Sequence, residues 1–114
     1  MSEAIAYLNG QYLPLAETRV SVLDRGFLFA DGIYEVAAVL DGRLIDNDAH
    51  LARMARSAGE LGIALPITLD EVAAVQAELV RRNAMDGGLV YVQLTRGTEA
   101  GRDFLPAEDT PPTL

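Results

Sequence analysis

The chain contains no lysine; all nine of its basic residues are arginine. It therefore offers guanidinium groups, which suit bidentate binding of phosphate and carboxylate, and no side-chain amine for covalent work on a carbonyl. Cysteine is absent too, which excludes disulfides and thiolate metal sites. A single histidine, His50, argues against a histidine-rich metal centre. Positive charge is scarce: 9 basic residues against 17 acidic ones give a net charge of −8 at pH 7. That balance argues against nonspecific nucleic-acid binding and against docking on an anionic membrane surface. No run approaches the roughly 18 apolar residues of a membrane span. Met1-Ser2-Glu3-Ala4 lacks the basic region that opens a secretory leader. The expectation is a cytoplasmic protein with neither a membrane nor a nucleic-acid partner.

Half of the 114 residues are apolar, enough for one hydrophobic core. Residues 1–105 read as one domain, and the proline-bearing segment 106–114 as the start of a linker or as a frayed tail. Asn9-Gly10 and Asp41-Gly42 each separate two β-prone runs, which predicts two hairpins. On the run from Ile33 to Leu40, alternation puts Tyr34, Val36, Ala38 and Leu40 on one face and Ile33, Glu35, Ala37 and Val39 on the other. Two helices follow. The first is capped by Asn47 or Asp48, carries Leu51, Met54, Ala55, Ala58 and Leu61 at helical spacing, and stops at Gly62. The second opens on Thr68 with Glu71 in capping-box spacing and shows a stripe of Val72, Val75 and Leu79. A last strand covers Leu89 to Thr95. The pattern predicts an α+β fold, a mostly antiparallel sheet with two covering helices.

Three segments carry candidate chemistry. The first is Asp24-Arg25-Gly26-Phe27-Leu28-Phe29-Ala30-Asp31-Gly32-Ile33-Tyr34-Glu35, a glycine-bearing loop feeding a strand whose Tyr34 and Val36 share a face and suit a small-molecule pocket. The second is His50-Leu51-Ala52-Arg53-Met54. Arg53 stands about 200° around the helix from Leu51, so it is free to point away from the local core. His50 reads as a hydrogen-bonding residue near the helix start, with no nucleophile or carboxylate suggested by spacing. The third is Val90-Tyr91-Val92-Gln93-Leu94-Thr95-Arg96-Gly97-Thr98, followed by Arg102. Taken singly, these are also compatible with a surface loop, a solvated arginine and a packed tyrosine.

Taken in order, the three segments resemble those of the fold-type IV aminotransferases, and within them the D-amino acid transaminases. Those enzymes hold pyridoxal 5′-phosphate (PLP) as a Schiff base on a lysine. The resemblance implies that Arg53 binds the PLP phosphate, that Tyr34, Tyr91 and Arg102 bind the substrate carboxylate, and that Val36 shapes the side-chain pocket. It implies amino acid and 2-oxo acid substrates, a homodimer with contacts around residues 24–29, and a large domain carrying the lysine that this chain lacks. In this resemblance a histidine belongs two positions after the loop arginine; Phe104 stands there, and Arg96 or Arg25 is a candidate substitute for carboxylate binding. Two other readings are kept: a branched-chain aminotransferase or aminodeoxychorismate lyase small domain, and a non-catalytic binding module.

Overall fold

The computed structural model describes residues 3–114. Met1 and Ser2, part of the stretch read above for a leader, lie outside them. Asn9 and Gly10 take φ of 47° and 93°, the positive pair that a two-residue hairpin loop requires. They join β1 (Ile5–Leu8) to β2 (Gln11–Pro14) in an antiparallel pair. Asp41 and Gly42, at 51° and 74°, do the same between β3 (Gly32–Leu40) and β4 (Arg43–Leu44). The strand β5 (Gly87–Thr95) pairs antiparallel with β3 along its whole length, giving the order β4-β3-β5. The fold is α+β, with a hairpin beside a three-stranded antiparallel sheet.

Alternation along β3 decides which residues meet the helices. Ala37 and Val39 are buried, and Ile33 packs on the core from the same face. Tyr34, Ala38 and Leu40 are exposed on the other. Helices α2 (Asn47–Leu61) and α3 (Leu69–Arg82) cover the inner face. Leu51, Met54 and Ala58 of α2 join Ile63, Val72 and Leu94 in the main core. Each large apolar side chain buried there contributes about 1.5–3 kcal/mol.

Two details differ from the sequence expectation. The N-cap of α2 is Asp46, in the left-handed region at φ 52° and without a side-chain cap bond. Asn47 does not cap; its amide donates to Gln76 Oε1 at 2.9 Å. That bond lets Gln76 be buried, so the inner stripe of α3 is Val72, Gln76 and Val80. Val75 and Leu79 instead line a groove that includes Tyr7 and Leu8 of β1. The Thr68–Glu71 capping box forms as expected, with both bonds at 3.1 Å.

The loop before β3 contains a short helix, α1 (Arg25–Phe29). Asp24 caps it by accepting the Gly26 N–H at 2.8 Å. A Cβ on Gly26 would lie 2.3 Å from Thr95 Cγ2, so only glycine lets this helix seat against β5. The segment 106–114 takes an irregular path, and its end is bonded to the domain. Thr113 exchanges backbone hydrogen bonds with Thr95 at 2.9 and 3.2 Å, and its hydroxyl donates to Asp24 at 2.7 Å.

Candidate active site

Register brings three of the sequence-predicted residues together. Val36 stands opposite Tyr91 and Tyr34 opposite Gln93, so all four lie on the outer face of the β3–β5 pair. The Tyr34 and Tyr91 rings stack, with centroids 5.6 Å apart and planes 21° from parallel. The Tyr91 hydroxyl donates to Gln93 at 2.8 Å. Both rings are more than half exposed, at 63% and 56%. With Leu40 and Leu89 they make an uncovered apolar and phenolic face.

Arg53, on α2, meets the same strand from its inner face. Its Nε and Nη2 donate to the two carboxylate oxygens of Glu35 at 2.8 and 2.9 Å. His50 Nδ1 lies 2.9 Å from Glu35 Oε1; because that group is a carboxylate, the imidazole donates. Glu35 is buried on the inner face at 7% exposure, and the guanidinium is well exposed. The Arg53 bond holds the Glu35 carboxyl at about 2, below its ordinary 4.5, against the opposing effect of burial and with further help from His50. Arg53 is in turn held charged above its ordinary value, first by the Glu35 bond and charge, with a smaller contribution from the nearby Tyr34 phenol. His50, Arg53 and Arg56 line one shallow depression with Asp46, Ala49 and Ala52.

The third group lies on the loops flanking α1. Arg25 is buried at 3% exposure. It donates to Asp31 at 3.0 Å, to Glu99 at 3.3 Å and to the carbonyls of Asp103 and Phe104. Arg96 donates to the same Asp31 oxygen at 2.7 Å and to the Leu61 carbonyl at 2.6 Å. Burial pushes the Asp31 carboxyl up, but the bonds from Arg96 and Arg25 outweigh it and leave the group below its ordinary value. Neither arginine is therefore available to replace a missing carboxylate ligand. Arg102 differs: its guanidinium rests over the Phe29 ring at 5.1 Å, and it has no ion pair among the described residues. Phe104 packs on the same ring at 5.8 Å.

The structure thus joins Tyr34, Val36 and Tyr91 on the outer face, holds Arg53 on α2 against Glu35 of the opposite, inner face, and leaves Arg102 on the α1 loop cluster. Sequence reasoning missed Glu35 and Asp31. Glu35 carried a signal, since a carboxylate on the face shared with Ile33, Ala37 and Val39 must find a cationic partner when buried. An apolar groove of about 510 Å³ runs beside β5 past Tyr91, Val92 and Gln93 but includes neither Tyr34 nor Arg53. The depression at Arg53 is the part chemically suited to a phosphate. With Glu35 on one side of the guanidinium, both N–H groups on Nη1 and one on Nη2 remain for an anion. The aldehyde end of PLP has no side-chain amine to meet in this chain.

Residues 32–114 match the family described as amino-transferase class IV, and the chain belongs to that family. D-alanine aminotransferase from Staphylococcus aureus is 35% identical over 108 residues, covering 95% of this chain. D-alanine aminotransferase from Listeria monocytogenes is 31% identical over 104 residues. The chain spans 38% of the length of the Staphylococcus aureus relative. Among solved structures, the branched-chain amino acid aminotransferase of Escherichia coli superposes with a TM-score of 0.89 at 15% identity, over 99% of this chain and 38% of that one. At that identity the likeness shows the fold. The 4-amino-4-deoxychorismate lyase of Pseudomonas aeruginosa superposes at 0.72 with 27% identity, over 94% of this chain and 36% of that one.

Proposed function

We propose that this chain is the small domain of a PLP-dependent aminotransferase that moves an amino group between an amino acid, of the D-series, and a 2-oxo acid. The observation that carries the reading is Arg53, gripped by Glu35 at the inner face of β3 with guanidinium donors to spare, on the same strand pair whose uncovered outer face bears the stacked Tyr34 and Tyr91. The D-series rests on the D-alanine aminotransferases to which the chain is similar. Residues 1–105 form the domain and 106–114 lead toward a large domain, which supplies the lysine and covers the outer face of β3 and β5. Exposed apolar surface of this kind is characteristic of an interaction site.

In this reading Arg53 holds the phosphate by a guanidinium fork. When bound, PLP supplies the electron sink for labilising the α-hydrogen of the amino acid. The phenols of Tyr34 and Tyr91 and the guanidinium of Arg102 orient the substrate carboxylate, and Val36 packs against its side chain. The assignment of Arg102 is favoured because Arg25 and Arg96 are tied to Asp31 while Arg102 has no carboxylate partner. The intact enzyme is a cytoplasmic homodimer with α1 at the interface, where Phe27 is 72% exposed. No helix among the described residues is long and apolar enough to cross a membrane.

The test is an assay of the intact enzyme with D-alanine, L-leucine or aminodeoxychorismate as substrate, the two amino acids with 2-oxoglutarate as acceptor. Transfer from D-alanine is expected. Preference for L-leucine, or pyruvate release from aminodeoxychorismate, would move the chain to another branch. The isolated 114-residue chain is expected to gain no side-chain adduct when mixed with PLP and reduced with borohydride, as read by peptide mass.

A further inference from the structure

Glu35 is buried, charged, and absent from the roles assigned so far. Its two oxygens hold Arg53 side-on, and His50 holds one of those oxygens in turn. Arg53 is otherwise a long, well-exposed side chain on α2. Freely rotating, such a side chain loses rotamer freedom when it binds an anion, which weakens the binding. A bidentate carboxylate removes that freedom in advance. It also selects an edge: with Nε and one Nη2 hydrogen facing Glu35, the end of the guanidinium formed by Nη1 and Nη2 faces out.

We propose that Glu35, braced by His50, is a positioning residue that presents the outer edge of Arg53 to the cofactor phosphate. The inference rests on the reading that Arg53 binds that phosphate. Two physical effects of Glu35 oppose one another. Its negative charge subtracts from the positive potential at the depression, which weakens anion binding. Its fork fixes the guanidinium, which strengthens it. The carboxylate is buried on the side of Arg53 away from the free edge and shares its charge with a His50 donor, so orientation dominates. Removal of Glu35 therefore weakens phosphate binding, although it makes the site more positive.

The sign of the effect is the test. In the intact enzyme, affinity for PLP is compared with affinity for pyridoxal, which lacks the phosphate, and the ratio isolates the phosphate contact. Glu35→Gln places an amide where one of the two acceptors stood and breaks the fork. The ratio is expected to fall roughly tenfold, the scale of a lost hydrogen bond to a charged group. In an Arg53→Met background the same change is expected to do nothing further, as a double-mutant cycle requires when one residue acts through another. Should Glu35→Gln fail to fold, Glu35→Asp, which keeps the charge but withdraws it from Arg53, reads the same quantity. If the Glu35 variants leave the ratio unchanged or raise it while Arg53→Met lowers it, the positioning role is wrong and the phosphate reading stands. If Arg53→Met leaves the ratio unchanged, the phosphate reading itself fails.

Discussion

Arg53 donates two hydrogen bonds into one buried carboxylate, and that pairing sets an acid sensitivity. Glu35 titrates near 4.5 unfolded and is held at about 2 in the folded protein. A depressed folded value means stabilisation that is complete above the unfolded value and is lost as pH falls toward the folded one. Denaturant unfolding of wild type and Glu35→Gln should therefore differ most near pH 6 and converge as pH drops from about 4.5 to about 2. A difference independent of pH across that window would separate the bond from the stability. A second prediction concerns Gly97, whose φ is 109° and whose added Cβ would lie 1.9 Å from the Pro111 carbonyl oxygen. Gly97→Ala should cost about 2 kcal/mol or more in chemical denaturation, because it combines backbone strain with a clash against backbone. At this scale the outward turn of Arg53 on α2 was legible, since it follows from spacing alone. The Asp31 pair with Arg25 and Arg96 was concealed, because those residues meet only when α1 and the end of β5 are brought together.

The elements were legible where their signals are local. Asn9-Gly10 and Asp41-Gly42 mark their turns because few other pairs take positive φ at both positions. Thr68 and Glu71 mark the start of α3 because the capping box is complete within four residues. Thr68→Ala should lower stability by about 1 kcal/mol in urea unfolding. The start of α2 was not legible, since Asp46 caps by backbone conformation without a side-chain bond and Asn47 is engaged by Gln76 on another helix. The same long-range bond explains why a polar residue lies in the inner stripe of α3. Asn83, just beyond α3, ties down the first hairpin. Its Oδ1 accepts the Ile5 N–H at 2.9 Å, and its Nδ2 donates to the Ile5 carbonyl at 3.0 Å. Asn83→Ala should accelerate amide hydrogen exchange across β1 and β2 while leaving β3 and β5 protected. Uniform loss of protection would mean that the hairpin opens only with the whole domain.

As a whole, the molecule closes one face and leaves the other open. Helices α2 and α3 bury the inner face around Leu94, which is fully enclosed; Leu94→Ala should cost about 2–5 kcal/mol of unfolding free energy. The outer face keeps Tyr34, Leu40, Leu89 and Tyr91 exposed. The class IV family match and the 38% coverage of the Staphylococcus aureus D-alanine aminotransferase are the setting in which that face reads as one wall of an active site. The most direct measurement is a crystal structure of the intact enzyme with PLP bound. The account expects the phosphate on the outer edge of Arg53, Glu35 on its inner edge, the Tyr34–Tyr91 face turned to the substrate side, and the tethering amine contributed by residues outside this chain. A cofactor phosphate held elsewhere, with Arg53 in solvent and the tyrosine face turned away from it, would contradict that account.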